Sequence, residues 1–174
     1  MATAESLATT ETINGKRYYN VGEGKKYPSV TTILGAMTDK SGLDKWRNRV
    51  GDKEADRISK FSANRGTVMH QLNEYFLGSK KETTRERLLE AQKLIIPFAE
   101  ENGFTEEEVN VGRKLFFNFY NNDCFNRISK VVSIEDTLYS PVMGGYAGRV
   151  DIIYENNKAH LIVLDFKSSK KPKK

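Results

Sequence analysis

The sequence predicts an α+β domain in which helices come first and an antiparallel meander follows. Between residues 28 and 122 apolar residues recur at helical spacing. From residue 130 three β-rich runs, VVSIEDTLYS, AGRVDIIYE and AHLIVLDFKS, are separated by the turn sequences PVMGG and NNK. The chain has 174 residues, 38% of them hydrophobic, which suits one domain with its own core. The expected division is a disordered lead-in over residues 1–14 and a single domain over 15–174. Within that domain the helical part covers 28–122 and the sheet 130–170.

Taken in order, RYYNV (17–21) reads as a short strand and GEGKK as its turn. Pro28 and Ser29 open a helix over VTTILGAM. Leu43, Trp46 and Val50 fall on one helical stripe, and Ala55, Ile58 and Phe61 repeat it after Gly51. Residues 43–62 therefore predict two short helices. In SANRGTVMHQLNEYFLGSK, Val68, Leu72, Tyr75 and Phe76 make the apolar face of a further helix, with His70 and Glu74 on the opposite face. A helix over about 83–101 contains Pro97, which predicts a kink or a division. Thr105 followed by Glu108 is a capping box for a helix running to about Asn121. Its Leu115, Phe116, Phe119 and Tyr120 read as core rather than as a base-stacking platform. His160 flanks the turn before the last strand.

Bulk properties narrow the function classes. No window approaches the run of about 18 apolar residues that a membrane helix needs. The first residues have neither the apolar core of a signal peptide nor the arginines of a transit peptide. The single cysteine, Cys124, excludes an internal disulfide and a cysteine zinc site, and predicts a reducing compartment such as the cytoplasm. The formal charge is +5, and Lys170, Lys171, Lys173 and Lys174 account for all but about one of those charges.

Chemistry concentrates in GRVDIIYENNKAHLIVLDFKSSK, residues 148–170. Alternation along a strand sends Asp165 and Lys167 to one side. A turn centred on Asn157 and Lys158 sets Asp151 nearly opposite Asp165. Two carboxylates and an ammonium then converge. A surface ion pair is the plain alternative. The continuous run Leu161–Leu164 predicts burial on both faces of that strand, and favours a site in which the charges are compensated. Two aspartates suit Mg²⁺ or Mn²⁺, which can bind a phosphate oxygen and activate water, while the lysine orients that water or neutralises charge.

With those residues in view, GRVD followed by LDFK resembles the active-site core of the PD-(D/E)XK nuclease superfamily. RGTVMH resembles the helix motif of its RecB-like branch. PSVTTIL, RGTVMH, GYAGRVD and DFKSSK together resemble the mitochondrial genome maintenance exonucleases and their phage relatives, over residues 28–170. The resemblance implies a restriction-endonuclease-like core, with a helix packed on an antiparallel or mixed sheet and a helical region before it. It implies that Asp151 and Asp165 hold a Mg²⁺ or Mn²⁺ ion, with His70 and the Phe166 carbonyl as further ligands. Lys167 would be the catalytic lysine. Glu135 is a supporting acid, and Glu74 a second partner for His70. Arg65, Thr31, Thr32, Ser168, Ser169 and Lys170 are the expected DNA contacts.

In that family a helix and a further strand follow D-x-K, whereas this chain ends at KSSKKPKK. The expectation is a C-terminally truncated core, completed by a missing segment or a protein partner, and poorly active alone. The expected function is a metal-dependent DNA exonuclease acting from single-stranded ends in replication, recombination or repair. It would work in a phage-infected or bacterial cytoplasm rather than a mitochondrion. A non-catalytic DNA-binding or accessory module is the alternative, and a sequence-specific endonuclease would use the same core.

Overall fold

A computed structural model describes residues 9–122 and 125–167. The fold is α+β, and the described residues form five α-helices and two three-stranded antiparallel sheets. Contacts divide the chain into two compact units, residues 1–44 with 135–150 and residues 45–134 with 151–174. Among the described residues, no helix is long and apolar enough to cross a membrane.

The first unit begins with the sheet β1 (Thr10–Ile13), β2 (Lys16–Asn20) and β3 (Lys26–Pro28). The lead-in expected over 1–14 thus already contains a strand, because Thr10 to Ile13 pair with Tyr19 to Lys16 across a turn at Asn14 and Gly15. Ser29 caps α1 (Val30–Met37), accepting the Thr32 N–H as the Pro28–Ser29 start predicted. Gly145 has φ +91, and an added Cβ would lie 2.2 Å from the Tyr27 ring, so only glycine fits there.

In the second unit, α2 (Ser41–Val50) arrives from the first, and Gly51, at φ +84, turns the chain into α3 (Asp52–Gly78). The sequence predicted a short helix here and a separate histidine helix; a single helix of 27 residues covers both. Ser62, Asn64 and Gly66 are weak helix formers, but tertiary contacts hold the segment in the helix. Asn64 Nδ2 donates to Glu108 Oε1 at 2.9 Å, and the Arg65 carbonyl lies against Gly112.

Thr83 and Glu86 form a capping box for α4 (Thr84–Glu101), and Thr105 and Glu108 form the one predicted for α5 (Glu106–Tyr120). Pro97 does not divide α4. It lies on an exposed face, where water can satisfy the carbonyl it leaves without a donor. Val68, Leu72 and Phe76 of α3 meet Ala91, Ile95 and Ala99 of α4 and Val109 and Phe116 of α5 in one core. Each fully buried large side chain there contributes about 1.5–3 kcal/mol. The aromatic residues of α5 are core, as expected: Phe116 has no exposed surface, and Leu115, Phe119 and Tyr120 pack against the cluster.

The second sheet has the order β4 (Ile128–Ser140), β5 (Tyr146–Asn156), β6 (Leu161–Leu164), and β4 and β5 each run from one unit into the other. Asn156 closes the β5–β6 turn, its Oδ1 accepting the N–H groups of Lys158 and His160. Burial of β6 on both faces is not observed. Leu161 and Val163 are 66% and 60% exposed, because alternation turns only Ile162 and Leu164 to the core and the other face of β6 is open to solvent.

Candidate functional site

The site of interest lies in the second unit, where α3 supplies His70 and the β5–β6 hairpin supplies the acidic residues. Ile152 pairs with Leu164, so one further step of the same register sets Asp151 opposite Asp165, as the turn position predicted. The two carboxylates nonetheless have different surroundings. The Asp151 side chain is 12% exposed, and Oδ2 accepts the Phe166 N–H at 2.5 Å while Oδ1 lies 3.5 Å from His70 Nδ1. The Asp165 side chain is 53% exposed and pairs with Lys167 Nζ at 2.7 Å.

Local sequence explains the difference. Beyond Leu164 the ladder ends, but the alternation Ile162, Leu164, Phe166 continues inward. Phe166 is 7% exposed and edge-on to Phe119 at 4.8 Å and to His70 at 5.9 Å between ring centroids. Anchoring that ring brings its backbone N–H to Asp151 and leaves Asp165 and Lys167 outward. Phe166 was expected to offer its carbonyl; here its N–H makes the contact. His70 is half-buried beside Phe166, and so borders the core instead of facing away from it.

Burial pushes the Asp151 carboxyl up, but hydrogen bonding from His70 and the Phe166 N–H outweighs it, helped by the charges of His70 and Lys167. The carboxyl is held below its ordinary value and is ionised at neutral pH. An ionised carboxylate and an imidazole nitrogen 3.5 Å apart fit a shared divalent ion, whose adjacent donors stand about 3 Å apart at bond lengths near 2.1 Å. Asp165 belongs to no group of three or more potential ligand atoms among the described residues, so joining Asp151 requires its exposed side chain to leave Lys167.

Other expected residues are placed as follows. Glu74 accepts a hydrogen bond from Gln71 Nε2 at 2.9 Å. Arg65 is mid-helix in α3, and its buried Nε has no hydrogen-bond partner among the described residues. Glu135 belongs to the first unit, at φ +53 in β4, with Oε2 2.7 Å from Arg149 Nε. Arg149 Nε also donates to the Glu135 carbonyl at 3.1 Å, a pairing that sequence reasoning missed. Thr31 and Thr32 are in the first unit as well. Thr32 Oγ1 accepts the Arg17 N–H and donates to the Arg17 carbonyl, tying α1 to β2. Ser168, Ser169 and Lys170 lie outside the described residues.

Comparison with protein-family models, curated proteins and solved structures found no match to this chain.

Proposed function

We propose that the chain is a metal-dependent deoxyribonuclease with a PD-(D/E)XK-type core, acting as an exonuclease on single-stranded DNA ends. The observation that carries this reading is the ionised, nearly buried Asp151 held between His70 and the Phe166 N–H, opposite Asp165 of the Asp165–Lys167 pair. Asp151, His70 and, once released from Lys167, Asp165 would hold Mg²⁺ or Mn²⁺. The ion supplies Lewis acidity toward a phosphate oxygen and lowers the pKa of water.

The chain's own groups have separable tasks in this reading. Before an ion binds, the Phe166 N–H and His70 Nδ1 hold the Asp151 carboxylate in one orientation and keep it ionised; once His70 turns to the ion, the Phe166 N–H would keep that orientation. Lys167 places its ammonium beside the reacting phosphate and neutralises charge that builds there. Asp165 holds that ammonium near the site while DNA is absent.

Asp165→Ala and Lys167→Ala test the assignment. Both are expected to abolish Mg²⁺- or Mn²⁺-dependent release of nucleotides from labelled DNA, and cleavage that persists in both overturns it. A non-catalytic DNA-binding module would instead bind DNA equally well in both variants and in EDTA, and would release nothing.

A further inference from the structure

A second charged feature lies in the first unit, in a groove between the β1–β2 turn and α1. The groove has a volume of about 620 Å³ and is lined by Lys16 and Arg17 on one side and by Thr31, Thr32, Gly35 and Ala36 of α1 on the other, with Lys40 at its end. That volume lies within the range of about 300–1,000 Å³ usual for ligand pockets.

The charge pairing in this unit is selective. Its six lysines and arginines are Lys16, Arg17, Lys25, Lys26, Lys40 and Arg149. Lys25 pairs with Glu23, Lys26 with Glu11 and Arg149 with Glu135, all within 2.7 Å. The three cations that line the groove have no ion pair among the described residues. Asp39, the acid next to Lys40, is occupied by the N–H and hydroxyl of Ser41 at 2.8 and 2.7 Å. Three like charges around one concavity repel each other and favour an anion between them.

The shape limits what that anion can be. Gly35 and Ala36 leave the floor without bulk, and a Cβ added at Gly35 would meet nothing within 4 Å. The lining contains no aromatic ring on which a base could stack. The positive end of the α1 dipole, at Thr31 and Thr32, adds to the field. Such a lining grips phosphate groups without reading bases.

We infer that this groove binds the phosphates of a single nucleic-acid strand through Lys16, Arg17 and Lys40, independently of any metal. The inference rests on the DNA reading for its ligand class, but not on catalysis.

The test measures anisotropy of a dye-labelled oligothymidylate in EDTA over a range of KCl, with the full chain and a Lys16→Ala/Arg17→Ala/Lys40→Ala variant. Losing three phosphate contacts should weaken binding at least tenfold and reduce the log–log salt slope by about 2, at roughly 0.7 per contact. A Lys16→Arg/Lys40→Arg variant should bind like the wild type, and circular dichroism confirms that each variant folds. Unchanged affinity and slope overturn the inference, as does a wild-type chain that binds no oligonucleotide. Binding to phosphatidylserine vesicles in place of the oligonucleotide also overturns it. If the alanine variant cleaves and binds as the wild type does, the groove fails and the nuclease reading stands. If the groove binds but no metal supports cleavage, the reverse holds.

Discussion

Replacing Asp151 with alanine should destabilise the metal-free chain, even though it removes a carboxylate from an acidic hairpin. A carboxylate kept only for a metal, and repelled by neighbouring acids, would leave the apo protein more stable when deleted. The structure argues for the opposite sign. Asp151 accepts the Phe166 N–H at 2.5 Å, and Phe166 is buried. A hydrogen bond to an ionised acceptor contributes about 1.5–3 kcal/mol, and alanine would leave that N–H without an acceptor. A loss of about 2 kcal/mol is therefore expected for Asp151→Ala. Asp151→Asn retains an acceptor oxygen without the charge, and should lose about half as much. In a chain of this length about 2 kcal/mol corresponds to a fall in Tm of roughly 4–8 °C. Thermal melts by circular dichroism in EDTA at neutral pH measure it. An Asp151→Ala variant that melts at or above the wild-type temperature would refute the reasoning.

Asp165→Ala and Lys167→Ala should behave differently, because their ion pair is exposed: each should change stability by less than about 0.5 kcal/mol, measured by urea unfolding, so lost activity would report chemistry rather than folding. Glu108 is buried, and burial raises its pKa, but hydrogen bonds from Thr105 and Asn64 outweigh this and hold it below 4.5. Its stabilising effect is thus fully present above pH 4.5 and lost as pH falls through the lower folded value. Glu108→Ala should cost about 1–3 kcal/mol at pH 7, and the gap to wild type should narrow in acid; a pH-independent gap would contradict this. Gly112→Ala would bring a Cβ within 2.5 Å of Val68 Cγ1 and 3.0 Å of the Arg65 carbonyl, forcing α3 and α5 apart. A loss of about 1–3 kcal/mol in chemical unfolding is expected.

Features encoded locally were legible in the sequence. Ser29 and the Thr105–Glu108 box cap the helices they were expected to cap, because capping depends on residues three apart. The Asn157–Lys158 turn set the hairpin register and with it the opposition of Asp151 and Asp165. Features that depend on distant partners were not legible. The continuity of α3 through Ser62–Gly66 rests on Asn64 reaching Glu108, 44 residues away. The apolar run Leu161–Leu164 suggested two buried faces, but one face of β6 stays open to solvent, and no local pattern says which faces of a sheet will be covered. The role of the Phe166 N–H had only one signal, the alternation Ile162, Leu164, Phe166, and that signal predicts an inward ring rather than the acceptor its backbone meets.

The most direct test of the proposed activity is a time course on end-labelled linear single-stranded, linear double-stranded and circular single-stranded DNA, with and without Mn²⁺. The account predicts progressive release of nucleotides from linear single strands only when the metal is present, with circular DNA left intact. Nicking of circular DNA would contradict an exonuclease, and no cleavage of any substrate with Mn²⁺ would contradict a nuclease.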